Sequence, residues 1–350
     1  MNQVYLKNEN YKCKSCGAGL YFDPTNQGLR CTKCSCTVPL PTTKSFVRHD
    51  VTQQAELERQ HSAWLTDNKV FKCTNCGASV IANKYEMSNI CPYCNNNLVL
   101  SPNELPGLKP DGIIPFKFNK EQANAKFVEN VKRKFYVSGT FKRKLPTSKI
   151  KGTYIPSFVY DMQTSSKYDG TLYTINQDAE GHKSYSYQSI NGTLNKKYVD
   201  VIIESSSKIT QTQLKGILPY DSTKAIDYHN GFILGYTVEH YADTLSTCEK
   251  IARETIDAMI RRDILSKYNY DGVDKLLINT TYSNKVFDYL LVPIYKFEYT
   301  FKNKPYTTYM NGQNGKIDNN LPKSIPKIVM TVLIILLIIL LPFILSIATN

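Results

Sequence analysis

Eight cysteines in two matched quartets constrain this chain more than any other feature. Cys13-Lys-Ser-Cys16 is followed after fourteen residues by Cys31-Thr-Lys-Cys34, and Cys73-Thr-Asn-Cys76 after the same fourteen by Cys91-Pro-Tyr-Cys94. The two units superpose at an offset of sixty residues, including an aromatic two positions before the first cysteine (Tyr11, Phe71) and Gly-Ala after the second. This is an internal duplication. Two tight turns, each presenting two thiolates at about 2.3 Å from one ion, suit tetrahedral zinc. Gly17 and Gly77 fit the turn, where positive φ lets backbone N–H groups point at sulfur; Asn95 is tolerated at that place and Ser35 less well. The expected ligands are Cys13, Cys16, Cys31 and Cys34, then Cys73, Cys76, Cys91 and Cys94, holding two structural Zn²⁺ per chain. Four protein ligands leave no position for water or substrate. Cys36 lies two residues beyond Cys34 and competes as the fourth ligand, although the match to the second unit favours Cys34.

The other strong signal is an uncharged run of twenty-one residues at 328–348. As a helix it rises about 1.5 Å per residue and reaches roughly the 30 Å of a bilayer hydrocarbon core. The expectation is a C-terminal transmembrane helix acting as a tail anchor, bent near Pro342. Lys323 and Lys327 precede the run, and 1–10 offers neither the basic nor the apolar region of a secretory signal. The chain is therefore expected in the cytoplasmic membrane, single-pass, with its N-terminal bulk in the cytoplasm. In a reducing compartment the cysteines call for metal or burial rather than disulfides.

Between these landmarks the expected class is multidomain: two small four-cysteine zinc ribbons, an α+β domain with antiparallel sheets, then one C-terminal transmembrane helix. Ribbon 1 covers 1–45, a connecting helix 46–70, ribbon 2 71–100, a Pro/Gly-rich linker 101–112 and the α+β domain 113–318. In the connecting helix Leu57, His61 and Trp64 fall at helical spacing, and His49 and His61 read as surface or packing histidines because both quartets are complete. Asn119 and Gln122 form a capping box ahead of Ala123, Phe127, Val131 and Phe135, which predicts a helix over 120–134. Strand-like runs at 154–160, 171–175, 183–190 and 198–204, separated by Gly, Asn and Asp, predict antiparallel hairpins. Ser246 and Glu249 read as a second capping box, before a stripe of Cys248, Ile251, Ala252, Thr255, Ile256, Met259 and Ile260 that buries Cys248. A last strand pair covers 290–301 and 305–310, with Asn311-Gly-Gln-Asn-Gly315 as turn. Helix, Tyr154-Ile-Pro156 and hairpin are echoed by helix, Leu291-Val-Pro293 and hairpin, so this domain is either duplicated or only similar in its halves.

The formal charge of +13 falls to about +9 once eight zinc thiolates and two zinc ions are counted. The surplus concentrates in 109–151, with twelve Lys or Arg against Asp111, Glu121 and Glu129. Such a patch suits anionic lipid headgroups or nucleic-acid phosphates, or is simply a solvated face. No phosphate loop, dinucleotide fingerprint, His-Glu-x-x-His or Gly-x-Ser-x-Gly occurs, and His182, His229 and His240 are spaced as structural histidines. No catalytic residue is assigned.

The chain resembles a bacterial family of zinc-ribbon proteins often labelled after the primosomal replication-restart helicase. The resemblance rests on the ribbon cysteines, on Asp111-Gly-Ile-Ile-Pro-Phe-Lys117, on Gly152-Thr-Tyr-Ile-Pro156 and on Asn311-Gly-Gln-Asn-Gly-Lys316 with Leu321-Pro322. It departs at Ser157-Phe158-Val159, where a more aromatic run is usual, and at Asn314, where Thr is. Members accompany phage-shock-protein-A-like and flotillin-like (SPFH) proteins in membrane-stress systems, which the resemblance implies as partners. The helicase label finds no ATP-binding motif here. The resulting expectation is a non-enzymatic, tail-anchored adaptor that recruits cytosolic partners to the membrane. The alternative is a membrane-tethered nucleic-acid-binding protein.

Overall fold

The computed structural model of the chain describes residues 12–54, 56, 68–72, 79–83, 86–90, 97–99, 108, 110–145, 149–178, 180–206, 209–239, 241–318 and 320–348, with side chains left aside in 68–99 and 342–348. The chain divides into two units. Met1–Pro115, Tyr154–Gln211 and Asp221–Val292 form the first, and Phe116–Thr153, Thr212–Tyr220 and Pro293–Asn350 the second.

In chain order the strands begin with β1 (Leu20–Asp23), β2 (Gly28–Cys31), β3 (Thr37–Pro39), β4 (His49–Asp50), β5 (Asn68–Lys72), β6 (Ser79–Asn83), β7 (Glu86–Ile90), β8 (Asn97–Val99) and β9 (Gly112–Ile113). Helices α1 (Lys120–Arg133) and α2 (Gly139–Arg143) precede β10 (Lys149–Gln177) and β11 (Lys183–Glu204). Then come α3 (Gln211–Ile217), β12 (Ile226–Asp227), β13 (Thr237–Glu239), α4 (Leu245–Leu265), β14 (Gly272–Phe301), β15 (Lys304–Asn311) and α5 (Ile325–Ala348).

In the first unit, β1, β2 and β3 form a small antiparallel sheet. The main sheet runs β12-β9-β14-β10-β13-β7-β8, with β11 added to β10 and β4 to β14. Its backbone is the hairpin of β10 and β11, in register from Gln177↔Lys183 to Ser157↔Glu204. One bulge interrupts it between Tyr160 and Met162; there Asp200 takes φ 56° and its N–H donates to Asp161 Oδ1 at 3.0 Å, which turns Val199 outward.

The sequence reading expects several short hairpins here, broken at Gly170 and at Asn191-Gly192. The structure instead has one long hairpin, because Gly170 marks a close approach and not a turn. A Cβ at Gly170 would run into the Lys275 carbonyl oxygen of the neighbouring β14.

Helix α4 starts two residues earlier than the sequence suggests. Thr244 caps it, accepting from the Thr247 N–H at 3.2 Å, and Glu249 is released from a capping role to bind Arg253 at 2.6 Å and Lys285 at 3.0 Å. Its stripe of Leu245, Cys248, Ala252, Ile256, Ile260 and Ile264 is buried, as the periodicity requires. The helix is tied to β11 by Asp263, which takes Lys196 at 2.7 Å and the Tyr198 hydroxyl at 2.9 Å. Beneath it Phe158 packs against Tyr241, Phe287 and Tyr289, with ring centroids 5.2–6.0 Å apart.

In the second unit both halves of the Asn119/Gln122 capping box form, and Ala123, Phe127 and Val131 are buried. Phe135 is not on that stripe. The helix ends at Arg133 and Lys134 is extended, so Phe135 projects 55% exposed. Phe127 stacks on Phe297 at 4.4 Å, and Phe141 packs on Tyr299 and Phe301 at 5.2 Å. Here β15 pairs with the end of β14 across a two-residue turn, Lys302 and Asn303 both having positive φ. The predicted turn after it is held by Asn311 Oδ1, which accepts from the Gln313 and Asn314 N–H groups.

Two expectations are corrected. The α+β class gives way to a mostly β architecture, because the strands read as separate hairpins merge into a sheet of ten strands among the described residues. A helix does form at the C-terminus, over Ile325–Ala348. Among the described residues no helix is long and apolar enough to cross a membrane. The transmembrane helix at 328–348, the tail anchor and the single-pass cytoplasmic-membrane location are withdrawn on that ground.

Candidate metal centre

The Cys-x2-Cys turns put four thiols in one place. Gly17 adopts φ 71° and its N–H donates to the Cys13 carbonyl at 2.8 Å, closing the first turn. Ser35 takes φ 59° at the matching place in the second turn, the strained alternative the sequence allows. The Thr32 N–H reaches the Gly19 carbonyl at 3.1 Å, and the Cys31 N–H the Cys36 carbonyl at 2.9 Å. As a result Cys13, Cys16, Cys31 and Cys34 bring all their sulfurs within 4.8 Å of one another, and these four thiols can hold a metal ion. Cys13 and Cys34 are 3.4 Å apart, as are Cys16 and Cys31. Four sulfurs at about 2.3 Å from a tetrahedral ion stand roughly 3.8 Å apart, so the spacing of the donor set is close to what such an ion takes.

The surrounding N–H groups favour thiolate where it is needed. Those of Ser15 and Cys16 lower the Cys13 pKa to about 6, and those of Cys34 and Lys33 lower that of Cys31. Cys34 receives the Cys36 N–H, yet the thiols of Cys36, Cys13 and Cys31 around it push its pKa up. One bound cation would remove that conflict by neutralising all four sulfurs together. Cys13 and Cys31 are buried, whereas Cys16, Cys34 and Cys36 are exposed.

Cys73, Cys76, Cys91 and Cys94 lie outside the described residues, as do Leu57, His61 and Trp64 of the connecting helix expected over 46–70, whose two ends take in β4 and the start of β5. The strands around the second quartet are described. β7 pairs β8 as Ser88↔Val99, Asn89↔Leu98 and Ile90↔Asn97, and β2 pairs β3 as Gly28↔Pro39, Leu29↔Val38 and Arg30↔Thr37. Each β2–β3 pair recurs sixty residues on, so the duplication read from the cysteines extends to the register of this strand pair.

The histidines fall elsewhere. His49 Nε2 is 2.8 Å from Asp111 Oδ1, which raises the His49 pKa, and beside it Arg48 bridges Asp161 at 2.5 Å and Asp288 at 2.8 Å. His229 accepts the Gly231 N–H, and burial lowers its pKa. His240 lies outside the described residues. A second group, Asp178, Glu180 and His182, carries no signal in the sequence. All three are exposed, and Asp178 is already engaged by the Glu180 and His182 N–H groups and by the His182 ring, so the hairpin turn accounts for their closeness.

Over 316 residues the chain is 24% identical to the uncharacterized protein YdjG of Bacillus subtilis (strain 168), covering 88% of each chain. No family model matches the chain, and no solved structure matches it.

Proposed function

We propose that this protein is a non-enzymatic adaptor that binds other proteins through the distal end of its long hairpin, with two structural zinc ions stabilising the ribbons that precede it. The observation that carries this reading is a tyrosine cluster at the hairpin end. Burial along β11 begins at Ile190, and the residues before it, 183–189, are exposed. There Tyr173 of β10 meets Tyr185 and Tyr187 of β11 with ring centroids 5.6 and 6.2 Å apart, and the last two are 52% and 64% exposed. Ile175 stands opposite Tyr185 in the register and is itself exposed. Tyrosine supplies large contact area at small entropic cost and is enriched at protein interfaces. The sequence resemblance names the partner class: phage-shock-protein-A-like and flotillin-like proteins.

The test is co-purification of the full chain with such a partner. The double change Tyr185→Ala and Tyr187→Ala should weaken retention at least tenfold, on the order of 2 kcal/mol or more for two hot-spot side chains, while leaving the metal content unchanged. Equal retention by the variant overturns the proposed surface.

A second reading has its own observation. In the second unit the exposed rings of Phe135 and Tyr136 meet edge to face at 5.2 Å, directly after Lys132-Arg133-Lys134 in the chain and with Lys327 Nζ 4.8 Å from the Phe135 ring centre, a combination that suits single-stranded nucleic acid. The full chain would then bind a short oligonucleotide with an affinity falling linearly against salt on logarithmic axes. No binding at low salt excludes it.

A further inference from the structure

The first ribbon carries a fifth cysteine that the quartet does not use. Cys36 Sγ lies 3.1 Å from Cys34 Sγ and 3.7 Å from Ser15 Oγ, and both cysteines are exposed. The local backbone makes this placement. Ser35, between them at φ 59°, turns the chain so that both thiols leave it on the same side. The Cys36 carbonyl is pinned by the Cys31 N–H at 2.9 Å, which holds Cys36 against the metal cage. The second ribbon lacks this feature, because the residue sixty positions on from Cys36 is Asn96.

We propose that Cys34 and Cys36 form a thiol switch that couples a peroxide-class oxidant to release of metal from the first ribbon. The inference rests on the reading of the quartet as a metal site. The thiolate of Cys36 attacks one peroxide oxygen, the O–O bond breaks, and hydroxide leaves, giving a sulfenic acid. The Cys34 thiolate, leaving the metal, then attacks that sulfur and expels a second hydroxide as the disulfide forms. Two electrons pass from the two sulfurs to the peroxide, and two protons from solvent convert the hydroxides to water. Cys13, Cys16 and Cys31 remain as three ligands, too few to retain a closed structural ion. Cys13 and Cys31 are buried and screened from the oxidant, and of the exposed thiols Cys16, Cys34 and Cys36 the last two stand with their sulfurs 3.1 Å apart. A thiol reductant reverses the disulfide and restores the site.

The experiment uses the full chain loaded with zinc, its metal content measured beforehand. Hydrogen peroxide is added, released zinc is followed with a chromogenic chelator, and disulfides are mapped by peptide mass spectrometry. The expected result is release of one zinc equivalent together with a Cys34–Cys36 disulfide, reversed by dithiothreitol. Cys36→Ser should carry the same zinc before oxidation and release it about tenfold more slowly, because the adjacent resolving thiol is gone. Equal release rates in the two proteins, or a disulfide joining any other pair, overturn the switch. A protein that binds no zinc at the first ribbon overturns the metal reading instead, and the mapped disulfide then still decides whether Cys34 and Cys36 are the reactive pair.

Discussion

The first ribbon and the hairpin-and-helix platform belong to the same unit, yet they are held together by different physics. The ribbon's own apolar core amounts to Leu20, Phe22 and Leu29 beside the thiols of Cys13 and Cys31. Even Phe22 finds its ring partners outside the ribbon, Phe232 at 5.2 Å and Tyr236 at 6.3 Å. The platform buries Phe158, Tyr160, Phe287, Tyr289, Tyr241 and the whole stripe of α4. A small unit that cannot bury enough surface leans on metal, and a large one does not need it.

Removing a ligand should expose the contrast most strongly. Cys31→Ser should abolish metal binding at the first ribbon, where metal supplies on the order of 10 kcal/mol of folding free energy in comparable peptides. Amide hydrogen exchange should then accelerate across β1, β2 and β3 while β10 and α4 stay protected. Collapse of protection in both regions would show that the ribbon is not an independent metal-held unit. Next in size is Phe158→Ala, which opens a cavity among Tyr241, Phe287 and Tyr289 and should cost about 3–5 kcal/mol in urea unfolding. Its metal content should equal that of the wild type.

The smallest effect concerns pH, to which the two regions respond in opposite directions. Acid weakens the ribbon because protons compete with metal for thiolate. In the platform Glu204 is pushed up to about 7, first by burial and then by Asp243 and Glu239, against the Ser206 N–H that lowers it. Its native pKa exceeds its ordinary 4.5, so the folded state holds the proton more tightly. Platform stability should be greatest below about 4.5, fall as pH rises towards about 7, and level off above that. Glu204→Gln should flatten this part of the urea-midpoint profile between about pH 4.5 and 7, whereas an unchanged slope would place the titration on another group.

Local patterns were legible in the chain wherever one short stretch decides the outcome. The Asn119/Gln122 capping box, the α4 stripe with its buried Cys248, the Asn311 turn and the first Cys-x2-Cys quartet each depend on residues within a few positions, or on two turns of a known kind. Extent was less legible. Gly170 carries the same letter as a turn glycine, and only the Lys275 carbonyl beside it makes it a strand glycine. Asn191-Gly192 likewise continues a strand because β10 pairs opposite it. Tyr185 and Tyr187 follow the same alternation as core tyrosines such as Tyr160, and they are surface residues because α4 does not cover that end of the hairpin. The apolar C-terminal run is helical as its composition suggests, but among the described residues no helix is long and apolar enough to cross a membrane.

What the sequence determined by itself, then, is the cysteine quartet and its duplication: residue type, spacing and the sixty-residue offset are covalent facts that hold in any fold. Tertiary structure alone decided that the central strands form one long sheet, that Glu204 lies near Glu239 and Asp243, and that Cys36 stands 3.1 Å from Cys34. The physical reason is distance along the chain. Turns and caps are closed by neighbours and can be read locally, whereas burial, like-charge crowding and the side of a turn on which a thiol emerges depend on the way the surrounding chain folds.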